Sequence, residues 1–166
     1  MQITLPGIAL RPEIPADEPF LLALFGTTRA EELALTGWDA RTREAFILHQ
    51  FNAMRQGYAS MFPTGEFSII TQSDQPIGRL VIHRDDAAWH VVDMALLPDH
   101  QNQQIGTHLM QSLQAEAAAA RKQVQLHVLK MNRAHRFYQR LGFIKVNDNG
   151  IYDMLEWQPP TPVKPA

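Results

Sequence analysis

The sequence contains no cysteine, and its 15 basic and 17 acidic side chains leave a formal net charge of only −2. The absence of cysteine excludes disulfide bonds, thiolate catalysis and cysteine-based zinc sites, and it fits a reducing compartment. The weak net charge gives no electrostatic reason to expect a nucleic acid or an anionic membrane as partner. No stretch is long and apolar enough to span a bilayer, and the N-terminus lacks a signal-peptide pattern. We therefore expect a soluble, cytoplasmic protein.

The length of 166 residues and the hydrophobic content of 45% predict a single domain with a sizeable core. We place that domain at residues 1–158. Residues 159–166 are rich in proline, so we expect an extended or disordered tail there. No internal repeat is present in the sequence.

The first sixty residues have a pattern typical of helices. In the segment 16–35, apolar residues recur at helical spacing after an acidic start, and Thr36 and Gly37 supply a stop. Asp39 is then predicted to cap a second helix at 40–58.

Alternating strands and helices follow in the rest of the chain. The predicted strands lie at 67–71, 77–83, 89–97, 124–130, near 143–146 and at 151–156, and the predicted helices at 104–120 and 133–141. The first three strands have connections short enough for antiparallel hairpins. The strand–helix–strand unit at 89–130 has the length of a βαβ crossover, which implies a parallel pair. Together these elements predict a mixed α/β (α+β) domain.

The loop "QNQQIGT" at 101–107 joins an apolar strand to a helix. A helix start exposes unpaired N–H groups and the positive end of the helix dipole, and anions commonly bind there at the carboxyl end of a strand. Gly106 permits close backbone approach, and Thr107 adds a hydroxyl group. The loop therefore suggests a phosphate or pyrophosphate cradle, although one glycine before a helix is more often ordinary packing.

The segment "NRAHRFYQRLGF" at 132–143 predicts a short amphipathic helix with an apolar face and a basic face. The apolar face contains Ala134, Phe137, Tyr138 and Leu141, and the basic face contains Arg133, Arg136 and Arg140. Without further context this pattern indicates a helix that packs through its aromatic residues and exposes its arginines to solvent.

Taken together, these features resemble the GNAT superfamily of N-acetyltransferases, strongly over residues 67–157 and loosely over the helical N-terminus. The resemblance rests on the order of strand, loop, helix and strand, followed by the pattern N-x-A-x-x-F-Y-x-x-x-G-F at 132–143. It implies the acyl-CoA N-acyltransferase fold, in which helices flank a central mixed, twisted sheet. It also implies an enzyme that transfers an acetyl group from acetyl-CoA to a primary amine.

In this family the loop follows the pattern Q/R-x-x-G-x-G/A and binds the pyrophosphate of acetyl-CoA. Here Gln101, Ile105 and Gly106 match the pattern, Gln104 replaces the middle glycine, and Asn102 stands where glycine is also frequent. If position 104 requires a positive φ, a non-glycine residue costs about 1–2 kcal/mol there. The N–H donor remains and asparagine tolerates left-handed backbone, so we expect CoA binding to survive.

The resemblance implies catalytic roles for three residues. The backbone N–H of Leu96 would stabilise the oxyanion, and Tyr138, a phenol that stays protonated at neutral pH, would protonate the departing thiolate. Alternatively, Tyr138 only packs beside Phe137. Asp93 lies in an apolar strand, where burial would raise its pKa, and it would accept the ammonium proton. A structural hydrogen bond at Asp93 is an equal alternative.

The resemblance also implies a set of contacts with acetyl-CoA. They involve Leu96, Leu97, Gln101, Asn102, Gln103, Gln104, Ile105, Gly106, Thr107, Asn132, Phe137 and Tyr138. Leu96 and Leu97 would pair with the pantetheine amides, and Asn132 would bond the cofactor, cap the short helix, or do both. The basic face of that helix would meet the 3′-phosphate.

In such folds the N-terminal helices, here residues 17–60, build most of the acceptor pocket. Carboxylates beside aromatic rings suit a cationic amine, although on helices they more often mark solvated faces. The candidates are Glu31, Glu32, Trp38, Asp39, Glu44, Tyr58 and Glu66. We expect a small-molecule amine acceptor, with a peptide N-terminus or an antibiotic as open alternatives. Homodimers are common in this fold, and a homodimer is a further expectation.

Two other functional classes remain open at this stage. One is a non-catalytic CoA-binding or interaction module with the same fold. The other, a nucleotide-binding protein of another family, has little support because the sequence lacks the glycine-rich phosphate motifs. The histidines show no metal-binding spacing, so no metal is expected. His127 is predicted to lie in the core or a pocket wall, and His90 and His100 to line a substrate cleft.

Overall fold

A computed structural model describes residues 1, 3 and 5–160 of the chain. The strands are β1 (Ile8–Pro12), β2 (Glu66–Gln72), β3 (Gln75–Arg84), β4 (Ala88–Leu96), β5 (Gln123–Leu129), β6 (Ile144–Asp148) and β7 (Tyr152–Trp157). The α-helices are α1 (Glu18–Ala34), α2 (Ala40–Met61), α3 (Ile105–Ala119) and α4 (Ala134–Arg140), and 3-10 turns lie at Pro15–Asp17 and Pro98–His100. Of the predicted tail, 161–166 lie outside the described residues, and Pro159 and Pro160 have no regular secondary structure.

The strands form a seven-stranded sheet in the order β1-β2-β3-β4-β5-β7-β6. β4 and β5 are parallel, with Val91 opposite Leu126. The pairs β1–β2, β5–β7 and β6–β7 are antiparallel. The mixed sheet confirms the predicted fold class, and the parallel pair confirms the crossover predicted at 89–130.

The expectation of helix throughout the first sixty residues is wrong at their start, where Ile8–Pro12 form β1. In this strand Ile8 lies opposite Gln72, and Pro12 lies opposite Ser68. Five residues that end in proline carry little local strand signal. The partner strand β2 comes much later in the chain, so the pairing that defines β1 is non-local.

The two N-terminal helices form where the sequence predicts them. Asp39 caps α2, since its Oδ1 accepts a hydrogen bond from the Thr42 N–H at 2.7 Å. This bond lowers the pKa of Asp39. The two helices pack together, and a buried cluster in this part of the chain contains Leu21, Phe51 and Ile69.

The chain divides into two compact units. The first comprises Met1–Pro6, Ile82–Val92 and Gln103–Ala166, and the second comprises Gly7–Val81 and Asp93–Asn102. In the first unit, the predicted apolar stripe of α3 is buried, as are three side chains of β5, against which α3 packs. These residues are Ile105, Leu109, Leu113 and Ala117 on α3, and Val124, Leu126 and Val128 on β5. Among the described residues, no helix combines the length and apolar character needed to cross a bilayer.

Candidate active site

The predicted site residues fall into both units. The second unit contains Asp93, Leu96, Leu97, Gln101 and Asn102. The first unit contains Gln103, Gln104, Ile105, Gly106, Thr107, Asn132, Phe137 and Tyr138. The second unit therefore contains the end of β4 and the first part of the turn that follows it, whereas the first unit contains the start of α3 and the short helix α4.

The turn after β4 is held by backbone and side-chain hydrogen bonds. The Leu97 N–H donates to the Ile77 carbonyl at 2.9 Å, and the Gln101 N–H donates to the Pro98 carbonyl at 3.2 Å. The Gln101 side chain donates from Nε2 to the Leu96 carbonyl at 2.9 Å. Gln101, which is predicted to contact the cofactor, thus holds the turn together in this structure.

Gly78 on β3 allows the backbone of β4 to approach closely. A Cβ atom at this position would clash with the Ala95 carbonyl oxygen and would lie 2.8 Å from the Leu96 side chain. Any side chain here would push the two strands apart, next to the predicted oxyanion donor. Gly78 is not among the residues predicted from the sequence, although a single glycine inside a predicted strand is a signal of close backbone approach.

The backbone before α3 is left-handed at two positions that lack glycine. Asn102 has a φ of +59° and Gln104 a φ of +62°. Gln104 is the N-cap of α3, and its carbonyl accepts a hydrogen bond from the His108 N–H at 3.0 Å. Position 104 therefore does require a positive φ. The N–H groups of 105–107 belong to the first turn of the helix, where no acceptor exists within the helix itself.

The segment before α4 contains a local hydrogen bond to a side chain, and the N-cap residue Arg133 makes no side-chain cap bond. Asn132 Oδ1 accepts a hydrogen bond from the Ala134 N–H at 2.9 Å. Tyr138 is 8% exposed, and its ring packs edge-on against Phe137 and Phe143, with centroids 5.0 and 5.6 Å away. A contact of Asn132 with the cofactor and an acid role for Tyr138 stay predictions.

The basic face predicted for this helix is present. Arg133, Arg136 and Arg140 are all exposed to solvent. Among them, Arg140 lies in the last turn, where a positive charge interacts favourably with the helix dipole. Their predicted contact with a 3′-phosphate stays a prediction.

Asp93 is a partly buried carboxylate on β4, with a side chain that is 26% exposed. Burial raises the pKa of Asp93 above its ordinary range, as the sequence predicts. The Arg79 guanidinium, with Nη1 at 3.6 Å from Asp93 Oδ2, and the Met94 N–H oppose this increase, whereas the Glu13 carboxylate adds to it. A carboxylate with a raised pKa is better matched to accept a proton near neutral pH.

Arg79 is the main residue that the sequence analysis missed. Its side chain is only 4% exposed, and its Nη2 lies 3.4 Å from Glu13 Oε2. The guanidinium also stacks on the rings of Tyr58 and Phe67, with ring centroids 5.7 and 5.6 Å away. A lone arginine between apolar residues signals a buried charge, but the sequence does not reveal its partners.

The residues proposed for the acceptor pocket lie in varied surroundings, and their role in binding an acceptor stays a prediction. Trp38 packs edge-on against Phe46 with centroids 5.3 Å apart, and Glu32 pairs with Arg29 at 3.2 Å. Asp39 caps α2, while Glu31, Glu44 and Glu66 are exposed on the surface. Tyr58 is the candidate whose ring lies against the Arg79 guanidinium, with its centroid 5.7 Å away.

The histidines have varied environments. His127 is exposed and lines a surface pocket, so a core position is wrong for it. His90 Nε2 lies 3.2 Å from Asp85 Oδ2, and the His90 ring stacks on His83. His100 is half-buried in the turn after β4. Among the described residues, no group of three or more potential ligands could hold a metal ion.

Comparisons with known proteins agree with the resemblance found in the sequence. A family model described as acetyltransferase (GNAT) domain matches residues 63–145. A search of curated protein sequences found no significant match.

Solved structures with the same fold include several acetyltransferases. The PaiA N-acetyltransferase of Thermoplasma acidophilum, in complex with coenzyme A, has 16% identity and a TM-score of 0.68, over 91% of this chain and 98% of that one. An acetyltransferase of Thermus thermophilus has 20% identity and a TM-score of 0.67, over 95% and 99%. A GNAT family acetyltransferase of Elizabethkingia anophelis, with acetyl-CoA bound, has 17% identity and a TM-score of 0.59, over 93% and 99%. At these identities, the similarity establishes the fold.

Proposed function

Because this chain belongs to the GNAT acetyltransferase family, we propose that it transfers the acetyl group of acetyl-CoA to a small primary amine. The observation that carries the proposal is the left-handed backbone at Gln104, with a φ of +62°. A glutamine adopts this conformation at a cost of about 1–2 kcal/mol, and strained backbone tends to be retained at functional sites. The task that fits this turn is to aim N–H groups at a diphosphate.

The start of α3 has the donors that a diphosphate needs. Ile105, Gly106 and Thr107 carry the N–H groups of the first helical turn, and the positive end of the helix dipole lies at the same place. The Thr107 hydroxyl adds a further donor. The family resemblance supports this assignment and adds Leu96 and Leu97 as partners of the pantetheine amides.

In the proposed reaction, Asp93 accepts a proton from the ammonium group of the acceptor. The neutral amine then attacks the thioester carbonyl, whose developing negative charge is stabilised by the Leu96 N–H. Tyr138 donates its proton to the thiolate of CoA as the C–S bond breaks. The raised pKa of Asp93 supports the first step. A cytoplasmic location belongs to the same proposal, since a chain without cysteine suits a reducing compartment.

A thermal-shift measurement combined with a free-thiol assay tests the proposal. Acetyl-CoA should raise the melting temperature, because a ligand that binds only the folded state stabilises it. In a panel of polyamines, amino acids, aminoglycosides and short peptides, at least one primary amine should then release CoA thiol. No change in melting temperature together with no thiol release would refute the proposal.

A non-catalytic CoA-binding module is the second candidate function. It stays a candidate because Gln104 replaces a glycine of the family pattern, as a residue in a degenerate, inactive domain would. The variant Tyr138→Phe separates the two candidates. An enzyme should lose turnover and keep its CoA affinity in calorimetry, whereas a binding module shows no amine-dependent thiol release even as the wild type.

A further inference from the structure

Five side chains of the second unit form a group that we call the Arg79 cluster: Glu13, Tyr58, Phe67, Arg79 and Asp93. The Arg79 guanidinium contacts both carboxylates, with Nη2 3.4 Å from Glu13 Oε2 and Nη1 3.6 Å from Asp93 Oδ2. The two aromatic rings lie against it at 5.7 and 5.6 Å. With 4% exposure, the Arg79 side chain is held in one place by its neighbours.

The ion pairs of this cluster are close, but they lack the short hydrogen bonds typical of arginine and carboxylate. Such bonds are usually about 2.7–2.9 Å long. Arg79 Nε and Glu13 Oε2 are buried, and neither has a hydrogen-bond partner among the described residues. Because nearly all buried polar atoms are hydrogen-bonded in proteins, these exceptions require an explanation. In this arrangement the positive charge of Arg79 lies beside Asp93. At 3.6 Å, however, the guanidinium does not occupy the lone pairs of the Asp93 carboxylate with a short hydrogen bond.

We propose that Arg79 is a positioning residue, which orients the Asp93 carboxylate and keeps it in the charged form that can accept a proton, and that Glu13 anchors Arg79. This inference rests on the proposed function, in which Asp93 is the base. In the step concerned, an N–H bond of the ammonium breaks and an O–H bond forms on Asp93. The nitrogen keeps the electron pair with which it attacks the thioester. The Arg79 guanidinium takes no part in the transfer of the proton itself.

A second arginine explains why Glu13 does not cancel the charge of Arg79. Among the described residues, Asp93 faces Arg79 on β3, and the Glu13 carboxylate before the first 3-10 turn also acts on it. Arg79 in turn contacts Glu13 and Tyr58, and Glu13 contacts Arg55 on α2. Arg55 Nη2 lies 3.6 Å from Glu13 Oε1, and Arg55 also pairs with Glu18. Glu13 is therefore shared between two cations, and the charge of Arg79 remains available to Asp93.

An NMR titration of the aspartate carboxyl carbons tests the proposal, with Asp93→Asn used to assign the Asp93 signal. We expect Arg79→Met to raise the pKa of Asp93 by about 1–3 units, because the opposing cation is removed. Arg79→Lys should raise it by less, and Glu13→Gln should lower it. The matched control is Arg84→Met, an arginine of the same strand that pairs with Glu116 at 2.8 Å. This control should leave the pKa of Asp93 unchanged.

A merely structural role for Arg79 predicts the opposite shift. Loosened packing would expose Asp93 to water and move its pKa down toward the ordinary value of about 3.9. A pKa of Asp93 that falls or does not change in Arg79→Met therefore overturns the proposal. If Arg79→Met does not fold, Arg79→Lys decides the question: a pKa of Asp93 above that of the wild type supports the proposal, and an equal or lower one overturns it.

The titration needs neither acetyl-CoA nor an acceptor, so its result is separate from that of the amine panel. A panel without thiol release refutes the transferase, while the titration still decides whether Arg79 controls Asp93. With an amine that does release CoA, the acidic limb of kcat/KM against pH should move upward in Arg79→Met by the shift that NMR measures. An unmoved limb overturns the positioning role.

Discussion

Two aspartate–arginine pairs lie in the second unit, and they hold their carboxylates in opposite ways. Arg11 donates two hydrogen bonds to Asp17, at 2.8 and 2.6 Å, and the Ile14 N–H donates a third at 2.9 Å. These bonds lower the pKa of Asp17. In the second pair, 3.6 Å separates Arg79 from Asp93, and burial raises the pKa of Asp93.

The comparison shows that geometry, more than residue type, decides what an ion pair does. Asp17 has its lone pairs engaged by short bonds, so it stays ionised and ties β1 to the 3-10 turn that follows. Asp93 lies beside the Arg79 guanidinium, but no short hydrogen bond joins the two groups. Because its pKa is raised, the Asp93 carboxylate accepts a proton more readily than an ordinary aspartate does. The first pair is built for stability, and the second retains the capacity for proton transfer.

The largest expected contrast comes from removing each carboxylate charge in turn. Asp93→Asn should lower kcat/KM for acetyl transfer by about 10²–10⁴-fold, the usual contribution of a general base. Asp17→Asn should leave kcat/KM close to that of the wild type, because its carboxylate serves only the fold. Steady-state thiol release measures both, and calorimetry with CoA should show unchanged affinity in both. Equal losses of kcat/KM in Asp93→Asn and Asp17→Asn would contradict the different roles assigned to the two aspartate–arginine pairs.

A change in the strand that carries Arg79 should have the next largest effect. Gly78→Ala adds a Cβ that clashes with the Ala95 carbonyl oxygen, and overpacking of this kind costs about 1–3 kcal/mol of stability. The control Gly57→Ala lies in α2, where a Cβ would be 3.9 Å from the nearest Met61 atom. This control should stabilise by about 0.5–1 kcal/mol, since glycine is unfavourable inside a helix. Urea unfolding measures both, and equal stability of the two variants would contradict the close approach.

The opposite pKa shifts predict opposite pH dependences of stability. The folded-state pKa of Asp17 is lowered, so its contribution is present above the ordinary aspartate pKa and is lost as pH falls through the folded value. The folded-state pKa of Asp93 is raised, so its contribution is present at low pH and is lost as pH rises through the folded value.

Urea unfolding between acidic and neutral pH tests these signs. The free energy of unfolding of the wild type should rise relative to Asp17→Asn toward neutral pH, by about 1–2 kcal/mol once solvent screening of Arg11 is allowed for. Relative to Asp93→Asn, the free energy of unfolding of the wild type should fall as the pH rises from acidic to neutral. Parallel pH profiles for the two differences would contradict the assigned shifts.

The smallest expected effect concerns the backbone, at the two left-handed residues Asn102 and Gln104. Gln104→Gly relieves a left-handed conformation that costs about 1–2 kcal/mol, while the greater freedom of unfolded glycine takes back about 0.5–1 kcal/mol. The net gain in the free energy of unfolding should therefore lie between about 0 and 1.5 kcal/mol. Asn102→Gly should gain less, because asparagine tolerates this conformation. An equal or larger gain in Asn102→Gly would contradict the account of strain at Gln104.

Local patterns in the sequence predict much of this fold. The four-residue stripe of α3 and the Asp39 cap of α2 each depend on neighbours within a few residues, and both form as expected. β1 escapes prediction because its partner β2 is remote in the chain. Asp93 is recognisable in the sequence as a lone carboxylate in an apolar strand. Its surroundings cannot be predicted from the sequence, because the residues that contact it come from other segments of the chain.

The contacts around Asp93 cannot be predicted from the sequence, because they form only in the folded chain. Arg79 faces Glu13 from a distant segment and aromatic rings from α2 and β2, so no short motif contains the cluster. Gly78 carries a local signal, since a glycine interrupts an otherwise apolar strand. Which backbone approaches it, however, depends on the pairing of β3 with β4.

The proposed activity requires that peptide N–H groups at the start of α3 bind acetyl-CoA. Calorimetry with CoA on the wild type, Thr107→Ala and Thr107→Pro tests this directly. Proline is tolerated in the first turn of a helix, where its missing N–H has no partner within the helix, and the preceding Gly106 has no Cβ to clash with its ring. Thr107→Ala should bind CoA nearly as well as the wild type, and Thr107→Pro about 10–100-fold more weakly, the value of one charge-assisted hydrogen bond. Equal affinity of the two variants, or no binding heat in the wild type, would contradict the account.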